Sequence, residues 1–308
     1  MRIQEAVSQN QHTTMLSAIL PRTACVGTAL GSCCYYYAFR NEAPFTKRPR
    51  CILTTPAMEE ALGSIIYEKL VREAKSSIVP EDHPLHIELR RLGERIDAAA
   101  TDLAEANNLP APAPHTITLI HSDTDTAMAI PGNRIVVATG LISQMKNEDE
   151  VAFVLGHEVA HSLCRHSGER ITGALTTGLL THLSLLIDPS GILLNGWSPA
   201  THLLQSLPTQ RVQEFEADRI GQLLVSHACF DPHAASRFFA EQAPEHGFLS
   251  THPSHEQRAK KLAEWAPEAA QQSVERCAVF HAMQRAMQAE AEASLVGLAY
   301  EDYLLVSD

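Results

Sequence analysis

His157-Glu158-Val159-Ala160-His161 decides how the rest of this sequence is read. An α-helix turns about 100° per residue, so positions i and i+4 stack on one face and both imidazoles point the same way. Neutral imidazole nitrogen is a good Zn²⁺ ligand, and a Glu directly after the first His lies where it can take a proton from the attacking water. The stretch has the hydrolytic H-E-x-x-H pattern. Asn147 stands where a helix cap is needed, and Glu150 follows three residues later, as in a capping box. Val151, Phe153, Val154 and Leu155 supply apolar surface. A buried helix starting after Asn147 is expected.

A catalytic zinc site also needs a third protein ligand and an open fourth position. Gln213-Glu214-Phe215-Glu216-Ala217-Asp218 is the best downstream source. On a helix, Glu214 and Asp218 share a face with Ala217, Gly221 and Val225, whereas Glu216 points roughly 200° away. The small residues let this helix approach the first one closely. Glu214 is therefore expected to join His157 and His161 around one Zn²⁺ per chain, and Asp218 is placed to fix the tautomer of a ligating His. Glu216 reads as a solvated charge. Cys164, three residues after His161, reads as a small buried hydrophobe, because Glu214 already offers a carboxylate.

With these motifs the sequence resembles the HtpX-like zinc metalloproteases, and most of all the Oma-type proteases of the mitochondrial inner membrane, which pair HExxH with a later E-x-x-x-D helix. The likeness runs over roughly 35–262. It includes Pro44-Phe45-Thr46-Lys47-Arg48-Pro49-Arg50, Ala129-Ile130-Pro131-Gly132-Asn133, and Leu249-Ser250-Thr251-His252-Pro253-Ser254 followed by Arg258. The resemblance implies a zincin-like domain in which Glu158 is the base. It also implies an edge strand over 126–130 that pairs with extended substrate through Thr126, Ala127, Met128 and Ala129. By the same resemblance, His252 donates to the tetrahedral oxyanion and Arg258 orders its loop. This chain has Thr126 where the family usually has Asn, and Asn133 where it has a second Gly. The implied role is cleavage of membrane-associated or misfolded proteins in mitochondrial inner-membrane quality control. One alternative is a lipoprotein protease of the bacterial envelope. Another is a proteolytically silent zinc scaffold, against which the intact Glu158 argues. A CaaX prenyl protease shares the zinc motif but needs several membrane spans.

The 308 residues are 45% hydrophobic, enough for a substantial core, and carry a formal charge of −12. No basic stripe is present to neutralise phosphates, so a nucleic-acid partner is excluded and a polypeptide substrate fits. Self-association is left open. Seven cysteines without a C-x-x-C pair do not predict a disulfide framework.

The expected organisation is a targeting or anchor segment over 1–40, a linker over 41–55, the protease domain over 56–298 and a tail over 299–308. Residues 1–40 carry Arg2 and Arg22 against the single acid Glu5, in the manner of a presequence. The uncharged run 23–39 would span roughly 26 Å as a helix, just short of a ~30 Å hydrocarbon core. It predicts attachment at the inner membrane. Leu30-Gly31-Ser32-Cys33 offers the rival route, a lipidated Cys33 in a bacterial envelope.

Within the domain, apolar spacing predicts packing helices over 56–76, on Ile65, Ile66, Leu70 and Val71, and over 83–108, on Leu85, Leu89, Leu92 and Ile96. Strands are expected over 116–121 and 134–139, around a turn at Pro131-Gly132. The uncharged run 171–187 is expected to be a core helix rather than a span. Short helices are expected over 232–242 and 254–265, then a peripheral one over 267–298 that packs Val279, Met283 and Met287. His166, His182, His202 and His227 read as ordinary histidines. The fold class is α+β, mostly helical, with a small sheet beside the HExxH helix.

Overall fold

A computed structural model describes residues 37–187, 192–242 and 254–305. The N-terminal run and Cys33 lie outside these. The fold is mostly helical with a small sheet beside the HExxH helix, as expected, and has a second, two-stranded sheet in the stretch expected to be a linker over 41–55, because the chain there doubles back on itself.

β1 (Arg40–Glu42) and β2 (Pro49–Cys51) form an antiparallel pair, with Asn41 opposite Arg50. The connection between them contains two left-handed residues, Phe45 (φ 64°) and Lys47 (φ 57°). This compact loop aims Thr46 and Arg48 inward. α1 (Pro56–Glu73) starts on Thr55, whose hydroxyl accepts from the Met58 amide, and has Pro56 in its first turn, where no N–H is needed. α2 (Pro84–Ala106) starts the same way, with Pro84 after the capping ring of His83. Its Leu89, Leu92 and Ile96 are buried as expected.

β3 (Thr116–Ile120), β4 (Ala127–Ile130) and β5 (Arg134–Ala138) form a sheet in the order β3-β5-β4. β3 runs parallel to β5. β4 folds back on β5 through Pro131 and Gly132, and the φ of 90° at Gly132 is one that a side chain would resist. This hairpin leaves β4 at the sheet edge. A short helix, α3 (Thr139–Ser143), then leads to α4 (Glu148–Leu163), which carries both histidines of the motif. Asn147 caps α4 by accepting from the Glu150 amide at 3.0 Å. The Glu150 carboxylate reaches one residue further back than a capping box requires, accepting from the Lys146 amide at 2.8 Å.

α5 (His166–Ile187), α6 (Ile192–His227), α7 (Ala234–Glu241) and α8 (His255–Leu305) complete the chain. α4 lies against α6 so closely that a Cβ on Gly221 would sit 2.9 Å from the backbone nitrogen of His157. The core gathers around this crossing, with Leu155, Val159, Ile220 and Leu224 meeting Leu92 and Ile96 of α2 and Leu119 and Val137 of the sheet.

Four expectations change in three dimensions. The helices expected on either side of Pro267 are one, because Leu262, Ala266 and Ala269 are all buried and hold α8 through the proline. Val279, Met283 and Met287 are exposed rather than packed, as are Ile65 and Ile66 of α1, because no other described element covers those faces. Leu175 and Leu179 of α5 are likewise exposed, so over 171–179 the helix does not bury its leucines in the core. Nor, among the described residues, is any helix long and apolar enough to cross a membrane. Finally, Cys229 and Cys277 form a disulfide across 48 residues, with Cα atoms 5.3 Å apart. The two cysteines become neighbours only once α8 packs beside the end of α6, so their sequence spacing carries no sign of the pairing.

Candidate metal centre and substrate cleft

His157 and His161 project from one face of α4, and their Nε2 atoms are 3.1 Å apart. Glu214, on α6, completes a triangle. Its Oε2 is 3.5 Å from His157 Nε2, and its Oε1 is 3.5 Å from His161 Nε2. Bonds of ~2.0–2.1 Å to a tetrahedral ion place ligand atoms about 3.3–3.4 Å apart, so the three sides fit one metal ion. All three side chains are buried. The expected ligand set is thus brought together, and Cys164 lies outside it, buried at the C-terminus of α4.

Asp218 stands one turn after Glu214 on α6, with Oδ1 3.0 Å from His157 Nδ1 and its side chain fully buried. Both oxygens of this carboxylate are held by Arg258 of α8, whose Nε donates to Oδ2 at 2.9 Å and whose Nη2 donates to Oδ1, the oxygen shared with His157, at 2.5 Å. Arg258 also lies 4.0 Å over the Phe239 ring. An Nη2 of Arg258 approaches His157 Nδ1 at 3.4 Å. That nitrogen donates to Asp218 at the shorter distance, so Asp218 is its partner. Sequence spacing puts Asp218 on this face of the helix, whereas its pairing with Arg258 depends on where α8 docks.

Burial works against a charge on His157, yet hydrogen bonds to Asp218 and Glu214 outweigh it and raise its pKa to about 9 without a metal. His161 moves the other way. Burial, with His157 and His166 beside it, pushes it well down and favours the neutral ring that a metal ligand needs.

Glu158 leaves α4 toward β4. Its Oε2 accepts from the Ala129 amide at 2.6 Å, and burial pushes its carboxyl up, against the pull of His157 and that amide. A carboxyl raised by desolvation is a better proton acceptor once ionised. Ladder alternation explains why the Ala129 amide is available. The Ala138 amide bonds the Thr126 carbonyl, so residues 126, 128 and 130 face β5 while Ala127 and Ala129 turn their backbone groups outward. Beside this edge lies a cleft of about 380 Å³, whose walls include Thr126, Ala127, His157, Glu158 and Phe239. A second recess, lined by Ala129, Pro131 and His161, opens farther along the same strand.

Two residues read as bland turn out to be part of this centre. Glu216 is buried rather than solvated, because Thr46 and Arg48 from the β1–β2 loop close over it. His166 is fully buried and sits between Glu216 and His161. Helical spacing from His161 could not reveal it, because the chain leaves α4 through Arg165 in the left-handed region (φ 52°) before α5 begins. The only available signal was the Pro44-to-Arg50 motif, with nothing in the sequence to say what it touches. His252 lies outside the described residues.

The family model for peptidase family M48 matches residues 91–266, more than half of the chain. The chain belongs to peptidase family M48. Among its relatives, a fission yeast protein, mitochondrial metalloendopeptidase OMA1, is 31% identical over 76% of this chain and 69% of its own length. The budding yeast protein of the same name is 29% identical over 84% of this chain and 79% of its own. A Vibrio cholerae protein, a putative beta-barrel assembly-enhancing protease, is 27% identical over 65% of this chain but only 42% of its own. As a member of M48 the chain is a metalloendopeptidase with an α+β zincin-like domain, and the family implies the catalytic metal that the His157, His161 and Glu214 triangle fits.

Proposed function

We propose that the metal is zinc, one ion per chain, and that the enzyme cleaves extended segments of membrane-associated or misfolded proteins at the mitochondrial inner membrane as part of protein quality control. The observation that carries this reading is the near-equilateral triangle of two imidazole nitrogens and one carboxylate with Glu158 beside it. Two nitrogens and an oxygen at tetrahedral spacing suit Zn²⁺. Bound there, zinc supplies a Lewis acid that activates water and polarises the scissile carbonyl.

The chain's own groups do the rest. The outward N–H and C=O of Ala127 and the outward C=O of Ala129, whose own N–H stays on Glu158, accept an extended peptide as an added strand, with Thr126 and Met128 on the same segment shaping the contact. Glu158 takes the proton of the attacking water and passes it to the leaving amine. Arg258 keeps Asp218 ionised and oriented, which keeps Nδ1–H of His157 pointed away from the metal. The resemblance assigns His252 to the oxyanion. The mitochondrial setting is supported by the yeast relatives, and membrane attachment by the uncharged run 23–39.

The test is metal analysis of the purified full chain together with its Glu214→Gln variant. One zinc per wild-type chain, lost in the variant, is expected. Zinc retained at full stoichiometry by Glu214→Gln would remove Glu214 from the ligand set.

A further inference from the structure

The three groups Cys164, His166 and Glu216 form a second buried cluster of metal-ligand type beside the first. Its surroundings argue against a cation. Glu216 accepts from the Thr46 hydroxyl through Oε1, and from Arg48 through Oε2 at 2.8 Å. Arg48 in turn is held by both carboxylate oxygens of Glu169 at 2.8 Å, and the guanidinium of Arg50 donates to the Cys164 carbonyl. Two fixed guanidinium groups flank the cluster, and burial keeps the Cys164 thiol protonated. A divalent ion would have to displace Arg48 from Glu216.

The hydrogen bonds point to another use. His166 Nδ1 is 2.7 Å from His161 Nδ1, and His166 Nε2 is 3.0 Å from Glu216 Oε2. Two imidazole nitrogens can bond only if one carries the proton and the other does not. The Glu216 carboxylate, paired with Arg48, can only accept, so His166 must carry its hydrogen on Nε2. In a neutral ring Nδ1 is then bare and accepts from His161. The hydrogen of His161 is thereby held on Nδ1, and Nε2, the atom that faces His157 and Glu214, is left with its lone pair free. A single tautomer satisfies every member of the chain.

We infer that His166 is a positioning residue for the metal centre, and that the Thr46–Arg48 loop, through Glu216 and His166, fixes His161 in its metal-binding tautomer. This rests on the assignment of His157, His161 and Glu214 as zinc ligands. It places the unexplained Pro44-to-Arg50 motif at the far end of a hydrogen-bond chain whose near end is a ligand. The two ligand histidines are thus backed differently, His157 directly by a carboxylate and His161 by a carboxylate acting through a second imidazole.

The test uses zinc competition titrations of the full chain against a chromophoric chelator, with circular dichroism of each metal-free variant. His166→Phe should bind zinc about 10–100-fold more weakly, the usual cost of losing such a partner. His166→Gln should keep wild-type affinity, because its amide oxygen accepts from His161 while its NH₂ donates to Glu216. In the unmutated zinc-loaded chain, long-range proton–nitrogen NMR spectra should find His161 protonated at Nδ1 and His166 at Nε2. Unchanged affinity in His166→Phe, equal losses in both variants, or a proton on His166 Nδ1 would overturn the relay. So would a second zinc per wild-type chain that His166→Phe alone removes, since the cluster would then be a cation site. A wild-type chain that takes up no zinc would overturn the ligand assignment itself, and the relay with it.

Discussion

The Ala129 amide donates to Oε2 of Glu158 at 2.6 Å, so the proposed base and the edge strand proposed to take substrate are joined by one hydrogen bond. The outward turn of residue 129 in the ladder makes this contact, and it holds the carboxylate between β4 and the metal ligands. Under the proposed function, a peptide lying along β4 would meet Glu158 at a fixed point along its backbone.

Replacing Glu158 by Gln should leave metal content unchanged and reduce peptide hydrolysis by about 10²–10⁴-fold, the range for loss of a general base. The amide oxygen introduced by Glu158→Gln can still accept from Ala129, so the local geometry survives while proton acceptance does not. Metal analysis and turnover on the same preparation check this. Near-normal cleavage by the metal-loaded variant would remove Glu158 from the chemistry.

Proline scanning of β4 should alternate in its effect. Ala127→Pro removes an N–H that points away from β5, so stability should hold while KM rises roughly two- to tenfold, about one hydrogen bond. Met128→Pro removes a group that pairs with Val136 and should destabilise the sheet instead. Thermal melts and steady-state kinetics of both variants separate the effects, and the opposite ranking would mean that the strand presents its other set of amides.

Gly221→Ala should destabilise the fold by ~1–3 kcal/mol through overpacking and weaken metal binding, because the new Cβ meets the backbone of His157. Gly173→Ala on α5 is the control. A Cβ there meets nothing within 4 Å, so this change should stabilise by ~0.5–1 kcal/mol. Urea denaturation of the two variants gives both signs, and a neutral Gly221→Ala would show that α4 and α6 can separate freely.

A chain lacking residues 1–36 keeps β1 whole, since that strand begins at Arg40. It should retain zinc and be released from membranes at alkaline pH if the run 23–39 is the anchor. Should it remain in the membrane pellet, anchoring would pass to the exposed apolar residues of the rest of the chain, of which Leu175 and Leu179 on α5 are examples.

By itself the sequence determined whatever depends on one helix or one strand. The i, i+4 spacing of His157 and His161, the shared face of Glu214 and Asp218, the Asn147 cap and the strands over 116–121 and 134–139 are all local patterns legible from the residues, whereas the strand that folds back at Pro131-Gly132, β4, was implied only by the resemblance. The tertiary structure alone decided what depends on elements far apart in the chain. Glu216 points away from Glu214 as helix geometry requires, yet it is buried, because the loop carrying Thr46 and Arg48 folds across it from 168 residues away. His166 reaches His161 because the chain reverses at Arg165, and a helical period says nothing about a residue beyond such a turn. Cys229 meets Cys277, and Arg258 meets Asp218, only when α8 docks on α6. In each of these cases the partner is selected by packing between elements, a quantity that no pattern within a single element encodes.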